Sequence, residues 1–175
     1  MAKIRKMIGK VDSPEIVSLM KLIETQSKPT IVRWCNEYAR EHVLPIYEKD
    51  YPEDERLKNA LNAINEWLDG TIKLVEAKKI VKEAQMAARE AEGNPSAQAA
   101  ARAIGATTAT INTVTSSLGL VFYGAAAVAY SSVGVNEKDE VYDRIAKKEC
   151  KKIEDALRQI AIEDESNPAK IKWNC

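Results

Sequence analysis

Residues 34–70 read WCNEYAREHVLPIYEKDYPEDERLKNALNAINEWLDG and hold two of the three tryptophans, the only histidine and two of the six prolines. Apolar side chains recur at steps of three and four on both sides of a proline-marked turn, which is the period of a helix face. Ile31, Trp34, Cys35, Tyr38, Ala39, His42 and Val43 share one broad stripe, with Arg33, Glu37, Arg40 and Glu41 off it. Pro45 has no amide to donate and its ring crowds the preceding turn, which predicts a kink or restart near Leu44. After Tyr51-Pro52, a second stripe of Leu57, Ala60, Leu61, Ile64, Trp67 and Leu68 runs to Gly70, a natural helix stop. Glu53, Asp54 and Glu55 are expected in the first turn of that helix, at the positive end of its dipole. The local reading is two helices joined by a bent corner.

The same period extends in both directions, and the fold class is all-α. Residues 1–12 read as a frayed lead-in. Ser13-Pro14-Glu15 supplies a cap, a proline at the first helical position and an early acid, opening a helix that runs to about Thr25. Ser27-Lys28-Pro29 starts the next. Beyond the corner come a helix over 71–92, an Ala- and Thr-rich helix over 97–113 and an apolar helix over 118–130. A long helix over 137–163, capped by Asn136, keeps Lys147, Lys148, Lys151 and Lys152 outside its apolar stripe. The sum is a single domain over 13–165, a bundle of six or seven helices followed by a tail over 166–175 in which Trp173 folds back. The Ala-rich helices are expected at the centre, since small side chains let neighbouring helices approach closely.

Composition narrows the function classes. The 175 residues carry 26 bases and 26 acids, without the basic excess of a nucleic-acid binder. Residues 103–136 contain no charged side chain. Their first half is rich in Thr, Ser and Asn, though, and the strongly apolar part is too short to span a bilayer, so no membrane partner is expected. Cys35, Cys150 and Cys175 are widely separated and form no CxxC pair. They suggest neither a disulfide framework nor a zinc site, and the reducing cytoplasm is the expected compartment.

No motif for catalysis or phosphate binding occurs, so no catalytic residue, metal or cofactor is assigned. His42 is read first as a satisfied histidine of core or groove and second as a ligand or partner contact, because a lone histidine leaves few catalytic arrangements. Tyr47, Tyr51, Arg56 and Trp67 are close enough in sequence to form one aromatic and cationic rim of the kind that anchors partners. The alternative is a small-molecule or metal site combining His42 with Glu41, Asp50 and Asp54.

The pieces WCNEYAREHVLPIYEKDYP, EDERLKNALNAINEWLDG and TIKLVEAKKIVKEAQMAAREAE, with the Ala-rich continuation to Tyr130, resemble a family of helical bacterial immunity proteins. These are thought to neutralise toxins of the polymorphic, contact-delivered kind. The resemblance covers residues 34–130 and carries over His42, Pro45, Tyr51, Pro52, Asp54, Arg56 and Trp67. The chain departs from the family pattern at Asn112 and Thr115–Ser117, where histidines are expected; this weighs against a polar site shared between His42 and that break. The resemblance implies a non-enzymatic inhibitor that binds a cognate protein toxin; the surface expected to do so is the kinked corner, with Tyr38, Glu41, His42, Tyr47, Tyr51, Asp54, Arg56 and Trp67 as the candidate partner- or ligand-binding residues. It leaves a homo-oligomer open.

Overall fold

A computed structural model describes residues 3–174; Met1, Ala2 and Cys175, and with them the part of the cysteine reading that concerns Cys175, lie outside the described residues. The order is α1 (Pro14–Ile23), α2 (Lys28–Tyr38), a π-helical turn (Ala39–Val43), α3 (Leu44–Glu48), α4 (Arg56–Leu68), α5 (Leu74–Glu90), α6 (Pro95–Ala109), a 3₁₀ turn (Val114–Ser116), α7 (Ser117–Val133) and α8 (Asp139–Ile160). Since α2, the π turn and α3 are continuous, the described residues form seven helical segments in one compact all-α domain.

Local chemistry explains most boundaries. The Ser13 and Ser27 hydroxyls accept from the backbone N–H groups of Ile16 and Thr30, and proline occupies the first turn in α1, α2 and α6. Gly70 and Gly134 end α4 and α7 with φ of 76° and 77°, a region that costs a side-chain-bearing residue energy. Two expected starts move. The acids at 53–55 precede α4, because Asp54 turns back to accept the Arg56 backbone N–H at 3.1 Å. Lys138 replaces Asn136 at the head of α8. The Tyr142 hydroxyl holds that turn, accepting from the Glu137 N–H and donating to the Gly134 carbonyl.

At the centre, α6 buries Ala97, Ala99, Ala100, Ala101, Ala103 and Ile104 against α7. A Cβ built on Gly119 of α7 would stand 2.5 Å from the Ala106 Cβ, so these two helices meet at a separation only glycine permits. Val114–Val133 is long and apolar enough to cross a membrane by composition. Leu118, Leu120, Val121 and Ala125–Ala127 are nevertheless buried in the main core, between α6 and α8. A smaller apolar cluster of Val32, Ile64, Ala77, Val81 and Ile111 closes the outer end, with Trp67 packed on it.

The segments that flank the helices on either side are fastened to the bundle. Ile8 is buried and its N–H donates to the Phe122 carbonyl, so the lead-in is anchored where fraying was expected. The Gln26 side chain, also buried, pairs in both directions with the backbone of Ile162, and Glu165 accepts from the backbone N–H and hydroxyl of Ser27. Trp173 folds back as expected and donates to Glu24 at 2.6 Å.

Candidate functional site

Pro45 cannot donate to the carbonyl one turn behind it, and the helix absorbs the loss by widening. The Leu44 N–H reaches back five residues to the Ala39 carbonyl, producing the π turn at 39–43. The bend turns His42 toward α8. Its ring lies 4.5 Å from that of Tyr38, and Nε2 is 3.7 Å from Glu41 Oε2. Together they line one wall of a cleft of ≈ 340 Å³, faced from α8 by Lys152, Asp155 and Gln159. At the buried end of this wall, the Tyr38 hydroxyl donates to Glu149 at 3.2 Å. Burial and the adjacent carboxylate push the Tyr38 hydroxyl well above the usual range.

The corner proper is held by a second carboxylate. Asp54 accepts from the Tyr47 hydroxyl at 2.6 Å and from Arg56 Nε and Nη2 at 2.9 and 2.8 Å. Arg56 continues to Glu90 at the end of α5 at 2.5 Å. The guanidinium fork and the tyrosine hydroxyl keep the Asp54 carboxyl at about 2, well below its ordinary 3.8. Tyr47 is fully buried, and Tyr51 stacks on it at 4.9 Å. Asn94, in the α5–α6 turn, donates to Asp50 at 2.9 Å. This clamp ties α3, the 49–55 loop, α4 and the α5–α6 turn into one unit.

The sequence-derived residues therefore fall in three places. Tyr38, Glu41 and His42 face the α8 cleft. Tyr47, Tyr51, Asp54 and Arg56 form the clamp, flanked by the exposed Pro45 and Pro52. Trp67 lies eleven residues beyond Arg56, about 16 Å along α4, half-buried under Lys28 Nζ at 5.7 Å. The expected rim from Tyr47 to Trp67 is not continuous, because Arg56, which joins Tyr47 through Asp54, and Trp67 occupy opposite ends of α4. Nor do His42, Glu41, Asp50 and Asp54 converge: Asp50 and Asp54 are committed to Asn94 and to Tyr47 and Arg56. Among the described residues no group of three or more His, Cys, Asp or Glu side chains is placed to hold a metal ion.

Sequence reasoning missed Glu149 and Glu90. Glu149 carried a signal, since it is an acid set among the inward positions Ala146, Cys150 and Ile153 of α8. Glu90 carried none, being 34 positions from its partner.

A family model described as "Imm-5 like putative immunity protein" matches residues 21–156, more than three-quarters of the chain. The chain belongs to this Imm-5 like family. The match runs past the 34–130 resemblance at both ends, taking in the last turn of α1, all of α7 and most of α8. The α2 wall of the His42 cleft, the Lys152 and Asp155 part of its α8 wall and every partner of the Asp54 clamp thus lie inside the region matched by the Imm-5 like family, while Gln159 lies just beyond it. No curated protein and no solved structure matches the chain.

Proposed function

We propose that this Imm-5 like protein is a non-enzymatic inhibitor that acts in the cytoplasm by binding a cognate protein toxin and covering its active surface. The observation that carries this reading is the family match across residues 21–156. The corner geometry supports it, because the Tyr47–Asp54–Arg56–Glu90 clamp fixes the 49–55 loop beforehand, and a surface rigid before binding loses less entropy on docking. Tyr38 and Tyr47 are interior supports in this scheme. The face offered to the toxin comprises Glu37, Glu41, His42, Tyr51 and the exposed 49–55 loop. A stable complex needs about 800 Å² a side, under a tenth of the chain's 9702 Å² of surface.

The test is to identify a growth-arresting protein domain among the products of the neighbouring reading frames and to co-express it with this chain. The wild-type chain restores growth and co-elutes with the toxin. Glu37→Lys with Glu41→Lys, two exposed positions whose replacement leaves the core intact, weakens both. Undiminished rescue and co-elution by that variant would remove the Glu37–His42 face as a contact surface.

A further inference from the structure

Charge is distributed unevenly along α8. Between residues 144 and 152 the chain reads RIAKKECKK, five bases against one acid. That acid, Glu149, is buried beside Tyr38, whereas all five bases are exposed. Arg144, Lys148 and Lys151 stand at i, i+4 and i+7, in line along the outer edge of the helix over about 10 Å. Lys147 is held by Glu15 at 3.3 Å and Arg158 by Glu154 at 2.9 Å. Among the described residues no carboxylate lies within ion-pair distance of Arg144, Lys148 or Lys151. Like charges one helical turn apart repel, so this ridge carries an electrostatic cost that an anionic partner would relieve.

The ridge separates two grooves. Toward α1 lies a shallow one of ≈ 670 Å³ lined by Pro14, Ser18 and the three unpaired bases, and toward α2 lies the His42 cleft. Asp155 belongs to both. We propose that the α8 ridge receives a short acidic segment of a partner protein, with carboxylates seated on Arg144, Lys148 and Lys151. That the partner is a toxin rests on the reading above; the chemistry of the segment does not.

A protein segment is favoured over a nucleic acid by what surrounds the ridge. Asp143, Asp155, Glu15 and Glu154 bracket it within a turn or a neighbouring helix. A phosphate backbone long enough to span the ridge would carry further charges onto those acids, and affinity for nucleic acid grows with the number of phosphates neutralised. Two or three carboxylates on a short peptide fit between them.

The probe is a peptide with three carboxylates, Gly-Ser-Asp-Gly-Asp-Gly-Glu-Ser-amide, carrying fluorescein on its amino terminus and followed by anisotropy at low salt with the full chain. The wild type binds it, and added salt weakens the binding. Arg144→Gln/Lys148→Gln/Lys151→Gln loses about tenfold or more in affinity. Lys78→Gln/Lys79→Gln/Lys82→Gln removes the same charge from three exposed lysines of α5 and changes affinity less than about twofold. All six replacements are at exposed positions, and circular dichroism checks that both variants stay folded. Equal loss in the two variants, no binding by the wild type, or tighter binding of a labelled oligonucleotide or of phosphatidylserine vesicles would each overturn the proposal. Peptide binding without toxin neutralisation would defeat the immunity reading and leave the ridge standing.

Discussion

Asp54→Asn removes the charge at the centre of the corner while preserving its size. In the folded chain the carboxyl sits at about 2 against an ordinary 3.8, a difference worth about 2 kcal/mol. Solvent reaching the 17 % exposed side chain trims that figure somewhat. A carboxyl that holds its proton less tightly when folded stabilises the fold above its unfolded value. The contribution is therefore complete above about pH 5 and disappears as pH falls through about 2. Urea unfolding of wild type and variant, followed by the fluorescence of the buried Trp34, should show Asp54→Asn less stable by about 1.5–2 kcal/mol at pH 7, with unchanged denaturant slope. The two curves should converge near pH 2. The depressed carboxyls of Glu15 and Glu165 affect both proteins alike and cancel in the difference. A gap that is the same at pH 7 and pH 2, or one below about 0.5 kcal/mol at pH 7, would refute the reasoning that the Arg56 fork and Tyr47 hold this corner.

Two glycine replacements should have opposite signs. Gly119→Ala drives a methyl into Ala106 and should cost about 1–3 kcal/mol in thermal or urea unfolding. Gly105→Ala meets nothing within 4 Å and should gain up to about 1 kcal/mol from helix propensity. Burial pushes the Cys150 thiol up to about 12 and the Cys35 thiol higher still; both should react with a disulfide reagent only as fast as the chain unfolds, and rapid labelling of either would contradict their placement. The hydroxyls of Tyr38 and Tyr47, each donated to a carboxylate in the interior, should remain protonated in an alkaline ultraviolet titration after exposed tyrosines have ionised.

What was legible in the sequence is what short-range chemistry decides. Ser13, Ser27, Gly70 and Gly134 mark helix ends through their own hydroxyls or their own lack of a Cβ, so composition alone locates them. Pro45 announced a break, and the π turn is the form that the missing amide takes. The Ala-rich centre followed from side-chain size, although the 2.5 Å approach at Gly119 shows only in three dimensions. The rest was decided by partners far away in the chain. Asp54 reads as a helix-dipole acid until Tyr47 and Glu90 are placed around Arg56. Asn136 reads as a cap until the Tyr142 hydroxyl occupies the turn. Ile8 looked peripheral because the core it enters is built from α7 and α8, more than a hundred residues later. Trp67 and Arg56 looked like neighbours because the turn before α4 draws the eye. A straight helix instead carries them to opposite ends.

The central claim is that this Imm-5 like protein protects by occupying a toxin, mole for mole. It is tested most directly by titrating the purified chain into a fixed amount of the toxin domain identified by co-expression rescue and measuring residual toxic activity. The account predicts a linear fall to a sharp end point at a fixed whole-number ratio, with the toxin recovered chemically unaltered. Protection by a small fraction of an equivalent, or a covalently changed toxin, would contradict it.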